Sequence, residues 1–210
     1  MSTRVRVKVC GITSVEDGLM AAHAGAEAVG FVFWSASPRA VDVETARRIA
    51  QALPPFVTRV GVFVDASREE LACVAEAVGL DMLQLHGQES PEDLERLPRR
   101  ALKALRVDAS FSLELATRYA ERACGLLLDA GSAAQPGGTG RVCDWDVVRR
   151  VRERVETLVL AGGLTPANVA EAIATVGPTA VDVSSGVEAG PGKKDAVKLR
   201  EFIEAVRHSG

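Results

Sequence analysis

The chain has 210 residues, 47% of them hydrophobic and 25% charged, with a formal net charge of −3. That is the make-up of an ordinary soluble globular protein able to bury one sizeable core. It carries no basic patch for nucleic acid, no apolar run near the ~18 residues of a membrane span, and no apolar stretch of a signal peptide in its start MSTRVRVKV.

In chain order, the first apolar run covers residues 5–10 and alternates, so Lys8 and Cys10 share one face while Val7 and Val9 share the other. It reads as a half-buried strand with a small apolar cysteine, or as a strand ending in a thiol whose neighbouring cation favours thiolate. A helical pattern at 15–24 follows. Strand-like runs at 28–33, 59–64, 82–85, 102–107, 125–128, 158–160 and 180–183 then alternate with helical patterns at 43–52, 68–78, 91–97, 112–122, 145–154, 166–175 and 194–206. Ser67-Arg-Glu-Glu70 has the form of a capping box, and Ser90-Pro91 and Thr165-Pro166 place a cap residue before proline at the first helical position. Eight strands, each followed by a helix, predict an α/β fold: a single-domain (β/α)8 TIM barrel spanning residues 1–210. A doubly wound open sheet is the rival, but it uses fewer strands. The four cysteines, at 10, 73, 124 and 143, form no CxxC pair, which suggests reduced thiols in a cytoplasmic protein.

In such a barrel the site lies where strands end and loops begin. The predicted strand ends hold Cys10-Gly11, Trp34-Ser-Ala-Ser-Pro38-Arg39, Gln84-Leu-His86-Gly87, Leu128-Asp129, Ala161-Gly162-Gly163 and Asp182-Val-Ser184-Ser185-Gly186. A thiol, a guanidinium, an imidazole and two carboxylates thus converge on one face. The loops after strands seven and eight are a common phosphate site in this fold, because backbone N–H groups point at the anion there. Gly162, Gly163, Ser184, Ser185 and Gly186 are small enough for that approach; plain tight turns are the bland alternative. The longest loop, residues 130–143, reads as a lid or binding loop.

Lys8-Val-Cys-Gly-Ile-Thr13, Ser37-Pro-Arg39, Gln84-Leu-His-Gly87, Leu127-Leu-Asp129, Gly138-Thr-Gly140 before Asp144-Trp145, Leu160-Ala-Gly-Gly-Leu-Thr-Pro166 and Asp182-Val-Ser-Ser-Gly-Val-Glu188 together resemble phosphoribosylanthranilate isomerase of tryptophan biosynthesis. The resemblance runs from Lys8 to about Asp195. Cys143 stands where the family usually has an aromatic, and Trp34-Ser-Ala replaces its aromatic-proline-lysine lead into Ser-Pro-Arg. The resemblance implies an Amadori rearrangement of N-(5-phosphoribosyl)anthranilate to an aminoketose, with Cys10 as general base and Asp129 as general acid. It also implies Arg39 on the anthranilate carboxylate, and a homodimer as the family-level expectation. The chemistry is consistent: an aldose-to-ketose shift needs a base at C2 and an acid at the ring oxygen, but no redox cofactor and no metal. A thiolate base needs a lowered pKa, for which Lys8 is a candidate cause, and Asp129 must hold its proton through partial burial.

Other roles stay open. Arg39 could be a solvated loop residue. His86 either lines the pocket or satisfies backbone, and Asp182 contacts a substrate hydroxyl, or orients Cys10 or Lys8, or closes an internal salt bridge with Lys8. Cys73 and Cys124 look like packing residues, and His23 and His208 like surface ones. A phosphosugar aldolase or the related indole-forming synthase would want a strand-end lysine, whereas Lys8 and Lys103 sit within strands. A non-catalytic phosphate- or flavin-binding barrel would leave Cys10 and Asp129 without purpose.

Overall fold

The computed structural model describes residues 4–108, 110–129 and 145–209. Eight parallel strands close into a barrel in sequence order. They are β1 (Arg6–Cys10), β2 (Ala28–Val32), β3 (Thr58–Phe63), β4 (Met82–Leu85), β5 (Arg100–Arg106), β6 (Gly125–Asp129), β7 (Leu158–Ala161) and β8 (Ala180–Val183). Closure is between β1 and β8, with Lys8 opposite Asp182 in the register. Around the barrel lie α1 (Val15–Ala24), α2 (Val43–Ala52), α3 (Arg68–Val78), α4 (Leu113–Ala120), α5 (Trp145–Arg152), α6 (Val169–Val176) and α7 (Ala196–Arg207).

The helices begin where side chains cap them: Ser14, Asp42, Ser67, Ser112 and Asp195 each accept a backbone N–H of the first turn. Two expectations fail locally. After β4 the chain makes only a 3-10 turn over Pro91–Leu94, because Glu95 already has extended backbone and breaks the spiral. The helix predicted from Pro166 instead starts at Val169, since Asn168 Oδ1 accepts the Thr165 N–H and holds the preceding residues in a turn. A third difference lies after β8. There a short 3-10 turn (Ser185–Val187) leads into an antiparallel pair, β9 (Glu188–Gly190) and β10 (Lys193–Lys194), so α7 begins two residues later than its apolar pattern suggests.

Strand alternation sorts the interior. Val7 and Val9 pack into the main core between sheet and helices with Phe31, Phe63, Leu126, Leu128, Phe202 and Ile203. Lys8 and Cys10 therefore face the lumen. Cys10, Val32 and Val62 form one small cluster, and Leu102, Ala104, Leu127, Val159 and Ala161 form another.

Candidate active site

Cys10 ends β1 and is 9% exposed. It pairs in register with Gly30, and the missing side chain there matters: a Cβ on Gly30 would lie 2.8 Å from Cys10 Sγ and 3.1 Å from Lys8 Nζ. Lys8 Nζ donates to Asp182 Oδ2 at 2.8 Å, with both side chains almost fully buried. The internal salt bridge thus forms, yet it is incomplete: Asp182 Oδ1 is buried without a partner among the described residues. Burial pulls the Lys8 ammonium down, but Asp182 and Cys10 together hold it above its ordinary value, so the lysine stays charged. Cys10 departs from the sequence expectation. Burial pushes its thiol above the ordinary range, and the opposing pull of Lys8 does not overcome that.

Arg39 reaches the site from the loop after β2, whose Ser37 Oγ accepts the Arg39 N–H and shapes the turn. Its stem crosses the end of β1 above Gly11, where a Cβ would lie 2.6 Å from Arg39 Cδ. Its guanidinium is not merely solvated. Nε donates to Glu188 Oε1 at 2.9 Å and Nη2 to Oε2 at 2.6 Å, a two-pronged pair with a buried carboxylate. The same carboxylate accepts from Lys194 Nζ at 2.8 Å, and Lys194 also donates to Cys10 O at 2.6 Å.

The other wall comes from β4 and β6. Gln84 Nε2 lies 3.1 Å from His86 Nδ1, and His86 Nε2 faces Asp129 Oδ2 at 3.9 Å. With the Gln84 amide donating, Nδ1 is an acceptor and the ring proton sits on Nε2, toward Asp129. Burial holds the imidazole below its ordinary pKa, so it is neutral at pH 7 despite Asp129. Gln84 is itself buried, and its Oε1 has no partner among the described residues.

The loops assigned to phosphate divide. Gly162 and Gly163 both have positive φ, 90° and 64°, a turn that only glycine enters without strain. Asn168 Nδ2 braces it by donating to Gly163 O. Ser185 is exposed at the mouth. Ser184 Oγ, by contrast, donates to Cys10 O at 3.1 Å, so its proton is committed to β1. Gly186 has a packing reason for lacking a side chain: a Cβ would collide with the carbonyl oxygen of Leu164 in the β7 loop. A bulky residue there displaces two loops, not merely an anion. Residues 130–143, Gly138-Thr-Gly140, Cys143 and Asp144 lie outside the described residues. Among the described residues no group of three or more His, Cys, Asp and Glu is placed to hold a metal ion. Cys73 is exposed and not a packing residue.

A family model, N-(5'-phosphoribosyl)anthranilate (PRA) isomerase, matches residues 7–205. The chain belongs to the phosphoribosylanthranilate isomerase family. It is 53% identical to the N-(5'-phosphoribosyl)anthranilate isomerase of Pseudomonas putida (strain W619) over 207 residues, which is 99% of this chain and all of that one. Among solved structures it is similar to a phosphoribosylanthranilate isomerase in complex with reduced 1-(o-carboxyphenylamino)-1-deoxyribulose 5-phosphate, with TM-score 0.85 and 45% identity over 97% of this chain and 99% of that one. Monomers generated from the dimeric phosphoribosylanthranilate isomerase of Thermotoga maritima give TM-score 0.85 and 44% identity, again over 97% and 99%.

In this isomerase fold, three residues beside the site escape a strand-end reading. Gly30 lies inside a strand, where a lone glycine signals close approach of a neighbour. Glu188 closes the Ser-Ser-Gly-Val-Glu motif. Lys194 depends on the β9–β10 hairpin, whose Gly190-Pro191-Gly192 turn was its one available sign.

Proposed function

We propose that the chain catalyses the Amadori rearrangement of N-(5'-phosphoribosyl)anthranilate, with Cys10 as general base and Asp129 as general acid. Asp129 gives its proton to the furanose ring oxygen as the C1–O bond breaks, leaving an iminium at C1. The Cys10 thiolate takes the proton from C2, and the resulting enolamine becomes the aminoketose by moving a proton within the substrate. No electrons leave, so base and acid suffice. The observation that carries the reading is the pairing of two unlike walls: a lumen-facing thiol beside Lys8 and Asp182 on β1 and β8, and Asp129 beside neutral His86 on β6 and β4.

Binding roles follow from where each group lies and what it already bonds. Asp182 Oδ1 lacks a partner among the described residues and suits a sugar hydroxyl. Arg39 keeps Nη1 for the anthranilate carboxylate, since its bonds to Glu188 use Nε and Nη2. His86 Nε2–H and Asp129 face the same space and line the pocket. Backbone N–H groups around Gly162, Gly163, Ser185 and Gly186 suit the phosphate; Ser184 contributes by orienting the end of β1. We also infer a cytoplasmic homodimer. In support, a similar protein is described as dimeric, and Phe56 in the turn between α2 and β3 is 99% exposed. No helix among the described residues is long and apolar enough to cross a membrane.

The test follows the anthranilate fluorescence of the substrate through turnover. Cys10→Ser and Asp129→Asn should each lower kcat by about 10²-fold or more, within the range for a lost base or acid. Both should still bind the reduced product analogue. Near wild-type kcat in either variant removes that residue from the mechanism.

A further inference from the structure

The hairpin after β8 delivers two buried charges to Arg39, and neither side chain gives or takes a proton in the rearrangement. Glu188 and Lys194 have side chains 4% and 0% exposed, against 22% for Arg39. The Glu188 carboxylate is shared: Oε1 accepts from Arg39 Nε and from Lys194 Nζ, and Oε2 from Arg39 Nη2. The hairpin is fixed at three further points. Thr13 Oγ1 donates to Gly192 O at 2.6 Å, the Lys194 backbone N–H donates to Asp17 Oδ2 at 3.1 Å, and Lys198 Nζ donates to Glu188 O at 2.8 Å. Burying a lysine this completely is costly unless its charge is used.

An arginine paired one-to-one with glutamate is electrically neutral, so a carboxylate arriving at its open edge is drawn by the guanidinium and repelled by the glutamate behind it. Lys194 changes that balance. Among the three side chains bonded to one another, two cations and one anion leave a single positive charge, in a largely buried cluster where water screens little. The geometry points to Glu188 and Lys194 as specificity-determining residues for the carboxylate end of the substrate. Glu188 fixes the plane of the Arg39 guanidinium so that Nη1 faces outward. Lys194 cancels the Glu188 charge, so Arg39 presents an undiminished cation to the aryl carboxylate. This rests on the isomerase reading, which is what brings an aryl carboxylate to Arg39. It also explains why a glutamate can stand beside an anion-binding arginine without defeating it.

The experiment measures the affinity of reduced 1-(o-carboxyphenylamino)-1-deoxyribulose 5-phosphate and of its phenylamino counterpart, which lacks only the ring carboxylate. Calorimetric titration is made on wild type, Lys194→Met and the double variant Lys194→Met/Glu188→Gln. Wild type should prefer the carboxylated ligand by about tenfold or more, the scale of a charge-assisted bond. Lys194→Met should lose most of that preference while binding the phenylamino ligand almost unchanged. The double variant again leaves one positive charge, and the amide that replaces the Glu188 carboxylate keeps an oxygen to accept from Arg39 Nε, so the preference should return. A purely structural brace predicts otherwise: both ligands weaken together in the single variant and further in the double, and that result overturns the proposal. If Lys194→Met does not fold, Glu188→Gln alone decides. It leaves two positive charges, so the preference should rise, and a fall overturns the proposal. Wild type binding both ligands equally overturns it too. Wild type binding neither, and turning over no substrate, overturns the isomerase reading instead.

Discussion

Two strand lysines of this barrel are buried against a carboxylate, on opposite faces of the sheet. Lys103 on β5 points outward, toward the ring of Tyr119 on α4. Its ammonium donates to Gly87 O at 2.7 Å, Glu89 Oε2 at 2.8 Å and Leu85 O at 3.4 Å. Glu89 in turn accepts the N–H groups of Asp65 and Gly87. Every donor and acceptor in that pair is used. Lys8 on β1 points inward and, among the described residues, has only Asp182 as a carboxylate partner, while Asp182 Oδ1 has no partner there. A saturated buried pair stabilises its surroundings, whereas an unsaturated one is held ready for a ligand that completes it. The outer pair holds the end of β4, and with it His86. The inner pair waits beneath Cys10.

The largest effect should come from breaking the saturated pair. Lys103→Met leaves the buried Glu89 charge without its cation and takes the donor from two backbone carbonyls. Removing one partner of such a pair costs about 3–5 kcal/mol, and for a chain of this size that lowers Tm by roughly 10 °C. Calorimetry would measure it, and the protein still folded at low temperature should keep kcat within severalfold. A variant as stable as wild type would erase the contrast between the pairs.

Asp182→Asn tests the other side, with an effect of about 10²-fold on kcat/KM if a sugar hydroxyl loses a charged acceptor. The contrast sharpens in the behaviour of the thiol. The Asp182 charge raises the Cys10 pKa, while Lys8 lowers it. Removing the carboxylate therefore lowers that pKa and frees Lys8 to face the sulfur. Iodoacetamide should alkylate Cys10 faster in Asp182→Asn at pH 7 than in wild type, even as isomerisation slows. Slower alkylation would show that Asp182 does not act on Cys10 electrostatically.

The pH profile is the next step down. In the free protein burial raises the thiol above its ordinary value, with Lys8 and then Lys194 pulling back and Asp182 adding to the rise. A base must be deprotonated to work, so in Asp129→Asn, where no acid has to keep its proton, the residual kcat/KM should climb with pH through neutrality, by up to about tenfold per unit while the thiol is mostly protonated. The limb should continue past the ordinary thiol range. Lys8→Met removes the principal group opposing the rise and should move the limb further alkaline. A flat profile from pH 6 to 9 would mean that another group, or a thiol already ionised, takes the proton.

How much of this could be read from the residues differs between the two pairs. The eight-fold alternation of apolar runs made the barrel legible, because each strand and helix carries its own period. Cys10, Asp129 and Asp182 were legible because they sit at or next to strand ends, and Lys8 because strand alternation puts it on the same face as Cys10. The balance of forces on Cys10 was not. A lysine two residues away suggested a lowered pKa, but desolvation depends on how completely the barrel closes, which sequence spacing does not encode. Glu89, Glu188 and Lys194 were missed as partners because their contacts span loops and a hairpin. In particular, Lys194 reads as the first residue of α7 until the β9–β10 pairing turns its side chain inward.

The smallest predicted effect concerns Gly30, which serves the inner pair alone. A methyl group there would lie 2.8 Å from Cys10 Sγ, 3.1 Å from Lys8 Nζ and 3.2 Å from Cys10 Cα. The sulfur and the ammonium can swing aside, but the Cα belongs to β1, which is bonded on both edges. Gly30→Ala should therefore leave the barrel intact and move the thiol by a few tenths of an ångström. Misplacing a reacting group by about 1 Å can cost 10²-fold, so this smaller shift should lower kcat by roughly tenfold or less. Because the added methyl touches neither Arg39 nor the phosphate loops, KM should hardly change. No equivalent substitution exists at the outer pair, where Lys103 is already fixed on three sides. If Gly30→Ala lowers stability as much as Lys103→Met while kcat holds, then the space beside Cys10 serves packing and not the reaction.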